Sequence, residues 1–253
     1  MNHRDRQILC GLFLSKYDKT ALKYLGFETF TEAFNALGYG LNARPAAIKN
    51  YRDEFDPLFP NARQGWHKRP LREHCKKISV AFQQATLREL GELVKGFLLP
   101  SFDSVVGSEI AGVMRSHTPD ASSPFAKRLI TGRAAEQYFS SKYQSMSEFS
   151  NQILTDTTTW GCGFDFKLTG DDLEKYSAIE VKGLRSRSGQ VQMTELEYDV
   201  ARTLRGRYFL VLIRNFAEQP FHTIIQNPTD SSLQFKKVSR KEERFSWATN
   251  VAD

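Results

Sequence analysis

The hydrophobic and polar positions divide the chain into two parts of different character. In the first part apolar side chains recur at helical spacing over residues 7–60 and again over 79–99, where the pattern predicts one long core or dimerisation helix. In the second part, alternating and continuous apolar runs indicate strands interleaved with helices. The stretch between them is rich in Ser, Gly and Pro, which indicates a connection with a short helix near 109–115. We therefore predict a helical domain over 1–120 and an α/β domain over 121–253.

Within the helical part, two short helices are joined by a tight connection rich in Gly, Asn and Pro. Thr29 and the glutamate three residues later form a capping signal that predicts a helix over 31–38, and Pro45 suits the first turn of a helix over 46–55. The arrangement resembles a helix-turn-helix. The second helix would then carry side chains that read base edges or phosphates, namely Lys49, Asn50 and Arg52. An ordinary helical hairpin is the alternative interpretation.

The second part predicts a helix, three strands, a helix and a strand, with one further strand at its end. In chain order these elements are helix 125–143, strands 153–159, 163–168 and 177–183, helix 194–204, and strands 207–214 and 221–226. A short extension or edge strand is also expected at 189–193. Thr194 and Glu197 fit a capping box, so Glu197 is expected to cap the second helix. The apolar run at 207–214 is typical of a strand buried on both faces. This order predicts an α/β (α+β) fold built on a mixed sheet.

Composition excludes several classes of protein. Of 253 residues, 40% are hydrophobic and 25% charged, which excludes collagen-like, low-complexity and wholly disordered chains. The three cysteines form no CxxC pair and indicate neither a disulfide framework nor a zinc ribbon. No apolar run is long enough for a membrane span or a signal peptide. We therefore expect a cytoplasmic protein with no membrane contact.

Positive charge is concentrated in a few segments. The formal net charge is +6, and the window 61–77 alone holds six basic residues against one acidic residue, together with a tryptophan and two histidines. Further basic patches lie at 182–187 and 236–244. Such clusters suit a phosphate backbone, because each neutralised phosphate releases counterions. A solvated surface is the alternative for any one of them.

Four residues in the second part carry candidate chemistry, namely Glu136, Asp165, Glu180 and Lys182. Glu180 and Lys182 lie two apart on one strand and therefore share a face, and the neighbouring strand would bring Asp165 beside Glu180. Two carboxylates there make a hard oxygen site for Mg²⁺, and a lysine on the same face can orient the attacking water or help to deprotonate it. Metal ligands and such a lysine are the groups that hydrolysis of a phosphodiester requires. Simple ion pairs, of Glu180 with Lys182 or of Asp165 with Arg185, are the alternative.

The spacing Asp165…Glu180-Val181-Lys182 resembles the motif of the PD-(D/E)xK nuclease superfamily, although Phe164 stands where that motif has proline. Segments 160–165, 179–182 and 193–197 resemble the nuclease-like C-terminal domain of NO VEIN-type proteins and of several restriction enzymes. The resemblance covers about residues 125–227. It implies an αβββαβ core, cleavage that depends on Mg²⁺ with Mn²⁺ as a substitute, and 5′-phosphate products. It also makes Glu136 similar to an additional acidic residue on the first core helix, and assigns Asp165 and Glu180 to the metal.

We therefore predict a site-specific endonuclease of the type II restriction kind, which cuts double-stranded DNA as a homodimer and has a separately encoded cognate DNA methyltransferase. Two alternatives stay open. One is a nuclease directed by DNA structure or modification, as in repair, transposition or methylation-dependent cleavage, and the other is a non-catalytic DNA-binding protein with a degenerate nuclease fold. The residues expected to contact DNA are Lys49, Asn50, Arg52, Arg63, Trp66, His67, Lys68, Arg69, Arg72, Arg185, Arg187 and Gln192.

Overall fold

The computed structural model describes residues 2–98, 124–170 and 175–238. Its amino-terminal half is helical, because apolar residues at helical spacing bury against one another in a single core. The helices are α1 (His3–Leu25), α2 (Phe30–Gly40), α3 (Pro45–Phe55), α4 (Glu73–Ala81) and α5 (Leu87–Gly96). No helix within the described ranges combines the length and the apolar character that crossing a membrane requires.

The starts of these helices follow the capping chemistry that the sequence contains. The Thr29 hydroxyl accepts the Glu32 backbone N–H at 3.1 Å, which starts α2, and Pro45 is the first residue of α3. The continuous helix predicted over 79–99 is wrong, because α4 ends and a new helix begins after Thr86. Thr86 and Glu89 form a capping box there, which satisfies the N–H groups of a helix start and separates α5 from α4.

The carboxy-terminal half is a five-stranded mixed sheet with a helix on each face. Its elements are α6 (Pro124–Lys142), β1 (Ile153–Asp156), β2 (Phe166–Thr169), β3 (Tyr176–Gly183), α7 (Glu195–Leu204), β4 (Tyr208–Arg214) and β5 (Phe221–Gln226). The strands lie in the sheet in chain order. Only the pair β3 and β4 is parallel among these strands, because α7 crosses over between them. The predicted order of helices and strands is confirmed, whereas 189–193 forms no strand.

Alternating side chains of β3 serve the two faces of the sheet. Ile179 and Val181 point toward α6, where they pack with Phe139 in the larger core. Ala178 points to the other face and packs in a small cluster with Ala201 of α7. Because this second face has a small apolar core, it has room for the polar side chains that β3 places there.

The two halves are joined through α2, which packs against α6. Tyr39 of α2 meets the Tyr138 ring with centroids 5.0 Å apart. The buried Asn35 amide donates hydrogen bonds of 2.8 Å to the carbonyl oxygens of Phe216 and Glu218. The described parts of the two halves are therefore packed against each other. The domain boundary predicted near residue 120 and the helix predicted at 109–115 lie outside the described residues.

Candidate active site

The pairing of β2 with β3 positions Asp165. In that antiparallel register Phe166 stands opposite Ile179, so Asp165, immediately before β2, falls opposite Glu180. The Asp165 backbone N–H donates to the Ile179 carbonyl at 2.9 Å, which continues the ladder by one residue. Its carboxylate Oδ2 accepts the Val181 N–H at 2.8 Å. The carboxylate is therefore held against β3 beside Glu180, as the strand alternation predicted.

Lys182 joins β3 to α7 through two carboxylates. Its ammonium nitrogen lies 2.5 Å from Glu180 Oε1 and 2.8 Å from Glu197 Oε2. The same Glu197 oxygen accepts the Thr194 N–H at 3.0 Å, so one side chain caps α7 and holds the lysine. The capping function of Glu197 was predicted, but its contact with Lys182 was not. That contact depends on how α7 crosses the sheet, which no local pattern records.

Glu136 reaches the site from α6 because β3 ends in glycine. A Cβ atom on Gly183 would lie 2.8 Å from the Thr131 carbonyl oxygen and 3.2 Å from the Ala135 Cβ atom. The missing side chain therefore lets α6 pack directly on the end of the strand. Glu136 accepts a hydrogen bond of 3.0 Å from Arg133 on the same helix.

These side chains line one cleft of about 640 Å³ at this end of the sheet. The cleft is lined by all four predicted catalytic residues and, among other residues, by Gln192 and Glu197. A second recess, of about 570 Å³, lies beside the other end of α7 and contains none of the predicted catalytic residues. The candidate chemistry is therefore confined to the first cleft.

Burial and mutual repulsion set the protonation of the acidic groups in the cleft. Burial raises the pKa of Asp165, and the nearby charge of Glu136 adds to the rise. Burial also raises the pKa of Glu180, and the charge of Asp165 adds to it. The pKa of Lys182 would fall through burial, but the charges of Glu180 and Glu197 outweigh this and raise it. The lysine therefore stays cationic, whereas the two carboxylates retain protons to a higher pH than usual.

The donor set of the cleft fits a magnesium ion completed by water and phosphate. Among the described residues, no group of three or more His, Cys, Asp or Glu side chains could hold a metal ion by itself. Mg²⁺ commonly takes only one or two carboxylates, together with waters and substrate phosphates. Asp165 and Glu180 supply two such oxygen ligands, and a divalent cation would relieve the repulsion between them. The cleft therefore offers Mg²⁺ two carboxylates, Asp165 and Glu180, and the remaining ligands would be water and phosphate oxygens.

The residues predicted to contact DNA divide into exposed and structural groups. The exposed ones are Lys49, Asn50, His67, Lys68, Arg69, Arg187 and Gln192. Arg52 is only 8% exposed, because it pairs with Asp53 and packs on the rings of Phe30 and Phe34. This burial disfavours the predicted contact of Arg52 with DNA, since a guanidinium in the core is poorly placed to reach a groove. The two helices lie where predicted, but α3 presents only Lys49 and Asn50 of the predicted trio to the outside.

Three more of the predicted arginines are engaged within the protein. Arg63 forms ion pairs with Asp56 and Asp18, and its guanidinium lies over the Phe30 ring. Arg72 forms an ion pair with buried Glu54 and contacts the rings of Tyr51 and Trp66. Arg185 forms ion pairs with Glu28 and Glu32. Arg185 thus ties the cleft to the helical half at distances of 2.6 and 3.0 Å, rather than pairing with Asp165. Of the third basic patch, only 236–238 lies within the described residues.

Comparison with known families gives one match. Residues 133–225 match the sequence model of a family described as protein NO VEIN, C-terminal. This segment runs from α6 to β5 and includes all four predicted catalytic residues, but it is less than half of the chain. No curated protein and no solved structure matches the chain. The chain is therefore similar to NO VEIN C-terminal domains over its α/β half, which confirms that part of the predicted resemblance.

Proposed function

We propose that the protein is a Mg²⁺-dependent endonuclease of the PD-(D/E)xK superfamily that hydrolyses double-stranded DNA at specific sites, as type II restriction endonucleases do. The observation that carries this proposal is one cleft in which Asp165, Glu180 and Lys182 meet on a sheet with the predicted αβββαβ order. The match to the NO VEIN C-terminal family over the same residues supports it. The domain division near residue 120 and the homodimer belong to the same proposal.

Each side chain has a task in this reaction. Asp165 and Glu180 would hold Mg²⁺, which supplies positive charge for the phosphate and acidifies a water molecule. Lys182, kept cationic by two carboxylates, can donate to a phosphate oxygen or orient the attacking water. The water oxygen bonds to phosphorus as the bond to the 3′ oxygen breaks, which leaves a 3′-hydroxyl and a 5′-phosphate. Gln192 and Glu136 line the same cleft, where they can contact the substrate or its water.

The exposed basic side chains supply the remaining requirement, which is affinity for the phosphate backbone. Lys68, Arg69 and Arg187 face solvent and are free of the buried ion pairs that hold Arg52 and Arg63. We expect them to produce a steep dependence of DNA affinity on salt concentration. A site-specific enzyme of this kind would need a cognate methyltransferase, encoded separately, to protect the host's own sites.

The test is cleavage of supercoiled plasmid DNA by purified full-length protein in Mg²⁺, with EDTA as the metal-free control. We expect discrete fragments in Mg²⁺ or Mn²⁺ and none in EDTA. Glu180→Gln and Lys182→Ala should lose cleavage, whereas Glu195→Gln and Lys167→Ala, whose side chains lie outside the cleft, should retain it. Full activity in both cleft variants would overturn the assignment.

Sequencing the ends produced from a random DNA library separates the alternatives. Ends that share one sequence favour the restriction activity, and ends that follow methylation or junctions favour a modification- or structure-directed nuclease. DNA binding without cleavage in any divalent metal would favour the degenerate, non-catalytic protein.

A further inference from the structure

The loop between β1 and β2 presents a tryptophan to solvent. Trp160 is 64% exposed, and within the described ranges its side chain makes no hydrogen bond and no ring contact. A large aromatic ring with its face in water is a usual feature of a binding surface, because it offers a large contact area at little cost in conformational entropy.

The backbone of this loop is fixed by hydrogen bonds at its base. The Thr157 N–H donates to the Asp165 carbonyl at 2.9 Å, and the Trp160 N–H donates to the Thr157 carbonyl at 2.9 Å. From below, the buried Tyr208 hydroxyl donates to the Gly163 carbonyl at 3.0 Å. Gly163 has φ of 85°, and a Cβ atom there would lie 2.9 Å from Val200. Trp160 is therefore carried by a loop that is organised before any ligand arrives.

The loop opens from the candidate active site itself. Its two ends are Asp156, the last residue of β1, and Asp165, and the register that pairs Asp156 with Phe166 places both at the same end of the sheet. The charge of Asp156 contributes to the raised pKa of Glu136, which shows how near the loop base lies to the cleft. The loop that carries Trp160 therefore begins and ends beside the cleft, although the Trp160 ring is not part of the cleft lining.

We propose that Trp160 stacks on a nucleobase of the strand being cut, a base that has left the duplex stack next to the scissile phosphate. This inference rests on the proposed nuclease function, and it adds that the substrate is locally unpaired or distorted at the cleavage site. An aromatic ring stacks on any base, so the contact is tolerant of sequence. A base inside an intact duplex already has both faces covered by its neighbours, so it offers the ring no free face. A nucleobase is favoured over a protein partner because the loop emerges from Asp165, which would hold the metal ion that faces the phosphate.

The experiment measures DNA binding by full-length protein in EDTA, where no cleavage occurs, using fluorescence anisotropy of labelled DNA. Two duplexes of the same sequence are compared, one fully paired and one with a single extrahelical nucleotide. We expect Trp160→Ala to weaken binding to the bulged duplex about 5- to 150-fold, from the measured cost of losing one base–aromatic stack. Binding to the paired duplex should change less than about threefold, and Trp160→Phe should retain most of the affinity.

The matched control is Phe221→Ala, which removes a partly exposed aromatic ring from β5 at the far edge of the sheet. It should leave the preference for the bulged duplex unchanged. The inference would be overturned if Trp160→Ala weakened binding to both duplexes equally or weakened binding to neither. It would also be overturned if Trp160→Ala changed the sedimentation coefficient, because that change would identify a contact between protein chains. Because Trp160→Phe keeps an aromatic ring, it tests the stacking contact even if the alanine variant misfolds.

Binding and cleavage report separately on the two proposals. If the wild-type protein cuts no DNA in Mg²⁺ but Trp160→Ala still loses the bulged duplex selectively, the nuclease proposal fails and the stacking contact stands. If the wild-type protein cuts plasmid DNA but the variant binds both duplexes as the wild type does, the stacking contact fails and the nuclease proposal stands.

Discussion

Replacing Lys182 by methionine tests whether the cleft is held together by charge. The ammonium lies between Glu180 and Glu197, whose side chains are only 4% and 15% exposed. Removing one partner of a buried ion pair costs about 3–5 kcal/mol, because it leaves an uncompensated buried charge. Glu180 can avoid that cost by binding a proton, since burial and the charge of Asp165 already raise its pKa. The loss in stability should therefore depend on pH.

The direction of this dependence follows from proton linkage. Without the lysine, the folded-state pKa of Glu180 rises further above its unfolded value. Between those two values the folded protein binds more protons than the unfolded chain, so stability falls as pH rises. Burial and the charge of Asp165 already raise the pKa of wild-type Glu180 to about 9, so below that pH both proteins keep this carboxyl protonated and the loss relative to wild type stays nearly constant. Above it only the wild type lets the carboxyl ionise, so the loss caused by Lys182→Met should be larger at pH 10 than at pH 7, by at most about 1.4 kcal/mol.

Urea unfolding in EDTA, followed by circular dichroism at both pH values, measures the effect. Lys167→Met is the control, because Lys167 lies on neighbouring β2 and contacts the Tyr176 ring instead of the cleft carboxylates. Adding Glu180→Gln to Lys182→Met should abolish the part of the loss that depends on pH, since it removes the carboxyl that titrates. The reasoning is refuted if the loss is the same at both pH values, or if it is absent at the higher one.

Three further predictions concern the packing and the metal. Gly183→Ala should lower stability by about 1–3 kcal/mol in thermal unfolding, because the new methyl meets the Thr131 backbone carbonyl. The control is Gly132→Ala, where a Cβ atom meets nothing within 4 Å, and equal melting temperatures of the two variants would contradict the close approach at Gly183. Arg52→Met should lower the free energy of unfolding by about 1.5–3 kcal/mol, because its charged hydrogen bonds to Asp53 are lost, yet leave the DNA affinity of the folded protein unchanged. A stable variant that binds DNA more weakly would instead support a contact of Arg52 with DNA. Calorimetric Mg²⁺ affinity should rise with pH and binding should release protons, because burial raises the pKa of Asp165; affinity that is independent of pH would speak against this ligand.

Local sequence patterns were enough to place most elements and the centre of the candidate site. Capping residues and apolar periodicity act over three or four positions, so the starts of α2 and α7 and the order of helices and strands along the second half of the chain could be predicted. The alternation along β3 depends only on residues two apart, and it correctly put Glu180 and Lys182 on one face. The error over 79–99 arose because the apolar stripe was followed across a capping box that local sequence also contains.

The tertiary structure determined which charged groups that are distant in sequence form ion pairs. Lys182 meets Glu197 only because α7 crosses between parallel strands, and Arg185 meets Glu32 only because the helical half packs on α6. Arg52 looks like a surface cation in the sequence, but its aliphatic stem and guanidinium complete a core of aromatic rings. Residue type determines which charges a chain carries. Whether a charge faces DNA, a metal or a buried carboxylate depends on long-range packing, because burial and partners set its free energy.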